Sequence, residues 1–307
     1  MKKQTMILMV VFCLATIAQA RILRVNNVAD MAPYETIEAA VNAATDGDTI
    51  MVDGSPVTYE KTTLTKRVVL VGPGYQLIVN GNATEDGREA IIDGLILEAA
   101  GTVVTGMSIG GWYSIEIKAP RCIITRCSIG SWEGVILRKG ADNCVFHQNF
   151  MTDNIGSDAY TYNHQITNNL MKEIATENIC NSYIGYNTNF GTANSNPNLR
   201  NSSGNLVEHN IVNREKWGST DGSNLYRDNV EITDFKYFDG SNTDKDASEA
   251  TAKLPTSVSK NFGAFAGTDP YVLSGIPTGP VIEQLIAPVT VEEGSKMNVT
   301  IKLKAGK

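Results

Sequence analysis

A parallel β-helix is the fold class that this 307-residue chain predicts, and three observations point to it. The first is a template, x-φ-x-x-Asn-x-φ with φ apolar, whose Asn position falls on Met107, Cys127, Asn149, Asn169, Asn187, Asn210 and Asn229, at steps of 20, 22, 20, 18, 23 and 19 residues. A period near twenty belongs to stacked coils, each of which buries its apolar face only against its neighbours. The second is a pair of positions two apart in each repeat, such as Cys122-x-Ile124 and Cys144-x-Phe146, that face the same side, which is the periodicity of a short strand with one face inward. The third is a single amphipathic helix pattern ahead of the first coil, suited to closing the open end of a stack.

Before the repeat, residues 1–20 have the three parts of an export leader. Lys2 and Lys3 come first, then an apolar run from Met6 to Ala15, then Ala18-Gln19-Ala20 as a small-x-small cleavage site. The apolar run is too short to span a bilayer. The expected mature chain starts near Arg21 and is secreted, periplasmic or at the cell surface, with no membrane span. Losing the two lysines takes the formal net charge from −7 to −9. That balance argues against nucleic acid as a partner, and a monomer is expected.

The helix pattern lies in Tyr34 to Ala44, with apolar residues at 37, 40, 41 and 44. Asp46-Gly47-Asp48 ends it and Thr49-Ile50-Met51-Val52 begins a strand. In the coils, the rows Thr102, Cys122, Cys144, His164, Ser182, Asn205, Asn224 and Val104, Ile124, Phe146, Ile166, Ile184, Val207, Tyr226 are expected to face inward. So is the row Ile109, Ile129, Met151, Met171, Asn189, Val212, Glu231, which decays toward the end of the stack. A buried Asn suits each turn for a physical reason. Its amide can satisfy backbone groups left unpaired by the bend and bond to the Asn of the next coil, and Asn itself tolerates a left-handed bend.

Two corners repeat almost unchanged, Ser108-Ile109-Gly110-Gly111-Trp112 and Ser128-Ile129-Gly130-Ser131-Trp132. Each leads into a second strand, in which Ile115, Ile117, Val135 and Leu137 face in while Glu116, Ile136, Lys118 and Arg138 face out. The β-helix with its N-terminal cap is expected over 21–234. Residues 235–279 read as an extended or loop-rich flank, and 280–307 as a small C-terminal β segment with strand-like runs at 289–291 and 297–303. Cys122 and Cys144 share a position in successive coils about 4.8 Å apart, which borders on disulfide range. Side chains in a stack point the same way, which favours buried free thiols over a bridge.

The Tyr34-x-Thr36-Ile37 to Val41 run, followed by Gly47-Asp48-Thr49-Ile50-x-Val52 and the Asn ladder, resembles the pectin-lyase-like superfamily of right-handed parallel β-helices over roughly residues 30 to 232. It is similar in particular to exported β-helix proteins of Bacteroidetes. The resemblance implies polysaccharide as the partner class, although one fold hosts many functions. The catalytic segments of pectin esterases, polygalacturonases and alginate or chondroitin lyases have no counterpart in this chain.

A lyase on this scaffold needs a cation against the sugar carboxylate and a base for the adjacent proton. Lys118, Arg138 and Glu116 on one outward row are the candidates, with a solvated surface row as the alternative. A lyase is expected ahead of a glycoside hydrolase. Asp153 and Asp158 are candidate oxygen ligands for Ca²⁺. Trp112 and Trp132 are candidate sugar platforms, against the alternative that they pack the corners. The three histidines do not form a metal set; His164 sits in an inward row, and His147 and His209 precede a ladder Asn. Two functions follow: a polysaccharide-active enzyme, or a non-catalytic glycan-binding or structural surface protein.

Overall fold

The computed structural model describes residues 20–81, 88–111, 114–130, 134–172, 174–190, 198–212, 223–232, 243–276, 281–286, 296 and 299–304. Trp112 and Trp132 lie outside the described residues, as does the run at 289–291.

The chain winds as a right-handed parallel β-helix with three sheets running the length of the stack. Sheet 1 orders its strands from Ile22–Val25 and Thr49–Val52 through Val103–Thr105, Ile123–Thr125 and Val145–His147 to Leu225–Arg227. Sheet 2 holds the two-residue strands from Ile91–Ile92 through Phe150–Met151 to Val230–Glu231, and sheet 3 those from Thr62–Leu64 through Val135–Leu137 to Asn198–Arg200. Registers are parallel and in step: Val104, Ile124, Phe146, Ile166 and Ile184 stack directly, as do Ile115, Val135 and Ile155. These inward rows are fully buried and form one continuous core.

The expected cap is helix α1 (Ile37–Ala43). The Thr36 hydroxyl accepts from Ala39 N–H at 3.1 Å and caps its first turn, while Ile37, Ala40, Val41 and Ala44 are buried. Lys66 Nζ donates to the Asn42 and Ala44 carbonyls, both at 2.7 Å, and satisfies groups at the helix end.

The Asn row is an inward ladder. Asn149, Asn169, Asn187 and Asn210 are fully buried, and each amide oxygen accepts from the backbone N–H of the ladder residue one coil earlier. The left-handed residue, however, is not the Asn but the one before it: Arg126, Gln148, Asn168, Tyr186, His209 and Asp228 all have φ between 48° and 57°. The ladder amides supply the hydrogen bonds that hold the bend, and the preceding residue makes it and points outward.

A second ladder stands at the other end of sheet 1, built from unlike residues. Cys144 N–H donates to His164 Nδ1 (3.2 Å), His164 N–H to Ser182 Oγ (2.8 Å), Ser182 N–H to Asn205 Oδ1 (2.8 Å) and Asn205 N–H to Asn224 Oδ1 (3.0 Å). Lower in the stack, Cys122 and Cys144 are buried and free, their thiols directed at the Ala119 and Ala141 carbonyls.

Residues 243–276, expected within an extended or loop-rich flank, contain helices among their loops. Thr243 and Asp246 form a capping box that starts helix α2 (Asp244–Ala252), and α3 (Thr256–Ser259) follows. The reason lies on sheet 2, whose outward row changes from Ser108 and Ser128 to Phe150, Leu170, Thr188 and Ile211. This apolar row needs a cover, and Ala247, Ala264 and Tyr271 provide it in a second core with Tyr75 and Phe190. From there the chain runs back down the stack along the left-handed corner residues. His209 stacks on Phe262, Asn168 donates to the Ala264 and Ala266 carbonyls, Gln148 to Asp269 and Pro270, and Arg126 to the Ile276 carbonyl. At the C-terminal end, Val281–Ile286 pairs antiparallel with Thr300–Lys304.

Candidate functional site

Sheet 3 brings the predicted outward residues together, but as an ion-pair ladder rather than a catalytic pair. Lys118 Nζ is 3.1 Å from Glu98, and Arg138 bridges Glu116 at 2.7 Å and Asp158 at 3.0 Å. Arg200 pairs with Glu177 at 2.8 Å further along. The Glu116 and Asp158 carboxylates hold the Arg138 guanidinium above its ordinary pKa, Glu116 contributing most, so Arg138 is a poor base. The row is placed as the sequence predicts and its charges are already engaged.

Asp153 and Asp158 line one shallow hollow of about 260 Å³ whose floor is Gly156, with Ile136 and Glu177 beside it. Asp153 Oδ1 accepts from Asn154 N–H at 2.8 Å and Asp158 is bound to Arg138. Among the described residues no group of three or more His, Cys, Asp or Glu side chains is placed to hold a metal ion. Nor does any described helix have the length and apolarity to cross a membrane.

The histidines are held separately. His164 is buried, and burial pushes its pKa down to about 4, which keeps Nδ1 available as the acceptor for Cys144. His209 stacks on Tyr186 at a centroid distance of 4.8 Å. His147 faces outward on sheet 1, and both its ring nitrogens are engaged, Nδ1 with Thr167 Oγ1 at 2.9 Å and Nε2 with Asp269 Oδ2 at 3.0 Å.

His147 lines a cleft of about 370 Å³ that the sequence did not reveal, between the outer face of sheet 1 and the returning flank. Its floor is Val69, Val71 and Val103 with Thr105 and Thr125; its wall is Arg126, His147, Gln148 and Asp269. Arg126 is only 9% exposed. Its Nε donates to Gln148 Oε1 at 2.7 Å and its Nη1 to the Ile276 carbonyl at 3.0 Å, while Nη2 has no hydrogen bond and the side chain no ion pair among the described residues. Burial pushes the Arg126 pKa below the ordinary guanidinium value, and the charge of Asp269 opposes that in part. Asp269 itself is taken up by His147 and Gln148.

A buried guanidinium with an N–H group to spare can receive a carboxylate, because the planar fork matches a carboxylate and weak hydration of the cation strengthens the pairing. The valine floor supplies an apolar surface and the threonines supply hydroxyls, the mixture that ligand sites use. The sequence signal was slight. Arg126 occupies the position before the ladder residue, where its counterparts are Gln148, Asn168, Tyr186 and His209, and nothing local says that the flank will fold over it.

The chain matches no protein-family model, no characterised protein and no solved structure.

Proposed function

We propose that this β-helix protein is exported and binds an acidic polysaccharide on the outer face of sheet 1 without cleaving it, one sugar carboxylate pairing with Arg126. The observation that carries this reading is a buried guanidinium with no carboxylate partner among the described residues, in a cleft large enough for a sugar ring. The valine floor would take the apolar face of the ring, and the Thr105 and Thr125 hydroxyls would face its own hydroxyls. Catalysis lacks support because the groups that would move a proton are spoken for: Lys118 and Arg138 are in ion pairs, and both nitrogens of His147 are bonded. The negative net charge opposes a polyanion at long range, so recognition rests on the local cation and weakens with salt.

The test is a binding series on polygalacturonate and alginate against neutral glucans, with ultraviolet absorbance of unsaturated product and reducing ends read in parallel. Thr105→Glu sets a carboxylate in the cleft at a partly exposed strand position that makes no side-chain hydrogen bond in the described structure. It should lower affinity for the acidic glycan by about tenfold or more while leaving the melting temperature unchanged. Undiminished binding in this variant would move the site elsewhere, and appearance of unsaturated product would replace the binding function with a lyase.

A further inference from the structure

The carboxylate of Asp48 is 1% exposed and gathers five hydrogen bonds, three of them from one residue. Arg21 gives Oδ1 its backbone N–H at 2.8 Å and Oδ2 its side-chain Nε at 3.1 Å and Nη2 at 2.7 Å. Thr45 adds its N–H at 2.8 Å and its hydroxyl at 3.1 Å. Nη2 of Arg21 also reaches the Ala43 carbonyl at 2.9 Å, in the last turn of α1. The Arg21 carbonyl accepts from Thr49 N–H and starts the pairing of the first two strands of sheet 1. Asp48 is held well below the ordinary carboxylate pKa, the Arg21 side chain being the largest cause.

Residue 21 directly follows the Ala18-Gln19-Ala20 site. We infer that cleavage between Ala20 and Arg21 creates a structural ion pair, the new α-ammonium of Arg21 docking on Asp48, so that removal of the leader itself stabilises the N-terminal cap. In the reaction one water molecule adds across the Ala20–Arg21 peptide bond. Ala20 leaves as a carboxylate, and the Arg21 nitrogen, now an amine, takes up a proton. A donor already at 2.8 Å from a buried oxygen thereby gains a full charge without moving. The precursor has the same hydrogen bond through a neutral amide, which is the weaker of the two. The ion pair rests on the export that the proposed function includes, and it shares no residue with the glycan cleft.

Two chains test it, one beginning at Arg21 and one carrying a Gly-Ser extension ahead of Arg21. At pH 6 the Arg21 chain should melt higher by about 3 °C. A raised ammonium pKa gives stability that is complete below the unfolded value of about 8 and is lost as pH rises through the folded value, so the gap should close in alkaline solution. The other ionisable groups around this end, Asp46, Lys66, Arg67 and Tyr34, are common to both chains and drop out of the difference. Equal melting at pH 6 would overturn the inference. So would a gap that persists unchanged at high pH, which would mean that the extension acts sterically. Amino-terminal sequencing of material recovered outside the cytoplasm supplies a second measurement: a start at Arg21 supports the pair, and any other start removes it.

Discussion

Asn169 Oδ1 accepts two hydrogen bonds from Asn149, one from its backbone N–H at 2.9 Å and one from its side-chain Nδ2 at 3.0 Å, and the same double contact recurs between Asn187 and Asn169. Each amide also donates to a sheet 1 carbonyl, Asn169 to Phe146 and Asn187 to Ile166. Replacing Asn169 by Ala therefore leaves two donors and one acceptor without partners inside the core. At about 1–3 kcal/mol for each buried group, Asn169→Ala should cost several kcal/mol, and Asn229→Ala, at the partly exposed end of the ladder, clearly less. Chemical denaturation of the two variants checks this, and equal losses would contradict the inward ladder.

The second ladder contains one member that titrates. His164 is neutral while it accepts from Cys144, and its folded pKa of about 4 lies below the unfolded value near 6.5. A lowered histidine pKa gives stability that is present above the unfolded value and is lost as pH falls from about 6.5 toward 4, amounting to roughly 3 kcal/mol. His164→Asn should remove this slope, because Asn205 already plays the acceptor role two coils on. Stability curves of both proteins between pH 4 and 7 would show it; parallel curves would place the titrating group elsewhere.

Asp244 is fully buried where the flank meets the coils, accepting from Asn80 Nδ2 at 2.7 Å, Ser274 N–H at 2.6 Å and the Tyr271 hydroxyl at 3.3 Å. Burial raises its pKa. Its contribution is thus largest below the unfolded carboxylate value of about 4 and declines as pH rises through the folded value. Asp244→Asn, uncharged throughout, should flatten the pH dependence of flank docking. Amide exchange of residues 244–252 at pH 5 and pH 8, corrected for intrinsic rates, reads it directly, and an undiminished pH effect in the variant would refute the assignment.

Exposed ion pairs are worth about 0–1 kcal/mol. Lys118→Met and Arg138→Met should accordingly shift the melting temperature by no more than a few degrees and leave glycan binding intact. A loss of binding in either would return the site to sheet 3.

Legibility followed the range of the forces involved. The Asn row, α1 and the in-step core rows are written in residue types at fixed spacing, so Asn149, Ile37 and Val104 sit where the sequence puts them. The second ladder was visible as a row but not as a hydrogen-bonded chain, because His164, Ser182 and Asn205 share an acceptor atom and little else. The flank reads as extended or loop-rich because its helix buries Ala247 and Thr251, small side chains that give no apolar stripe. Arg126 gives no local signal for a related reason, since its cleft exists only once Asp269 and Ile276 have come back across the coils.

That return path changes what kind of object the stack is. A solenoid of nearest-neighbour contacts behaves as a one-dimensional chain, able to fray from either end coil by coil. Here a single strap touches Gln76 near one end, Arg126, Gln148 and Asn168 in the middle, and His209 near the other. Opening an inner coil therefore means releasing a segment that is also holding its second and third neighbours. Over the strapped length, unfolding is therefore expected to be all-or-none.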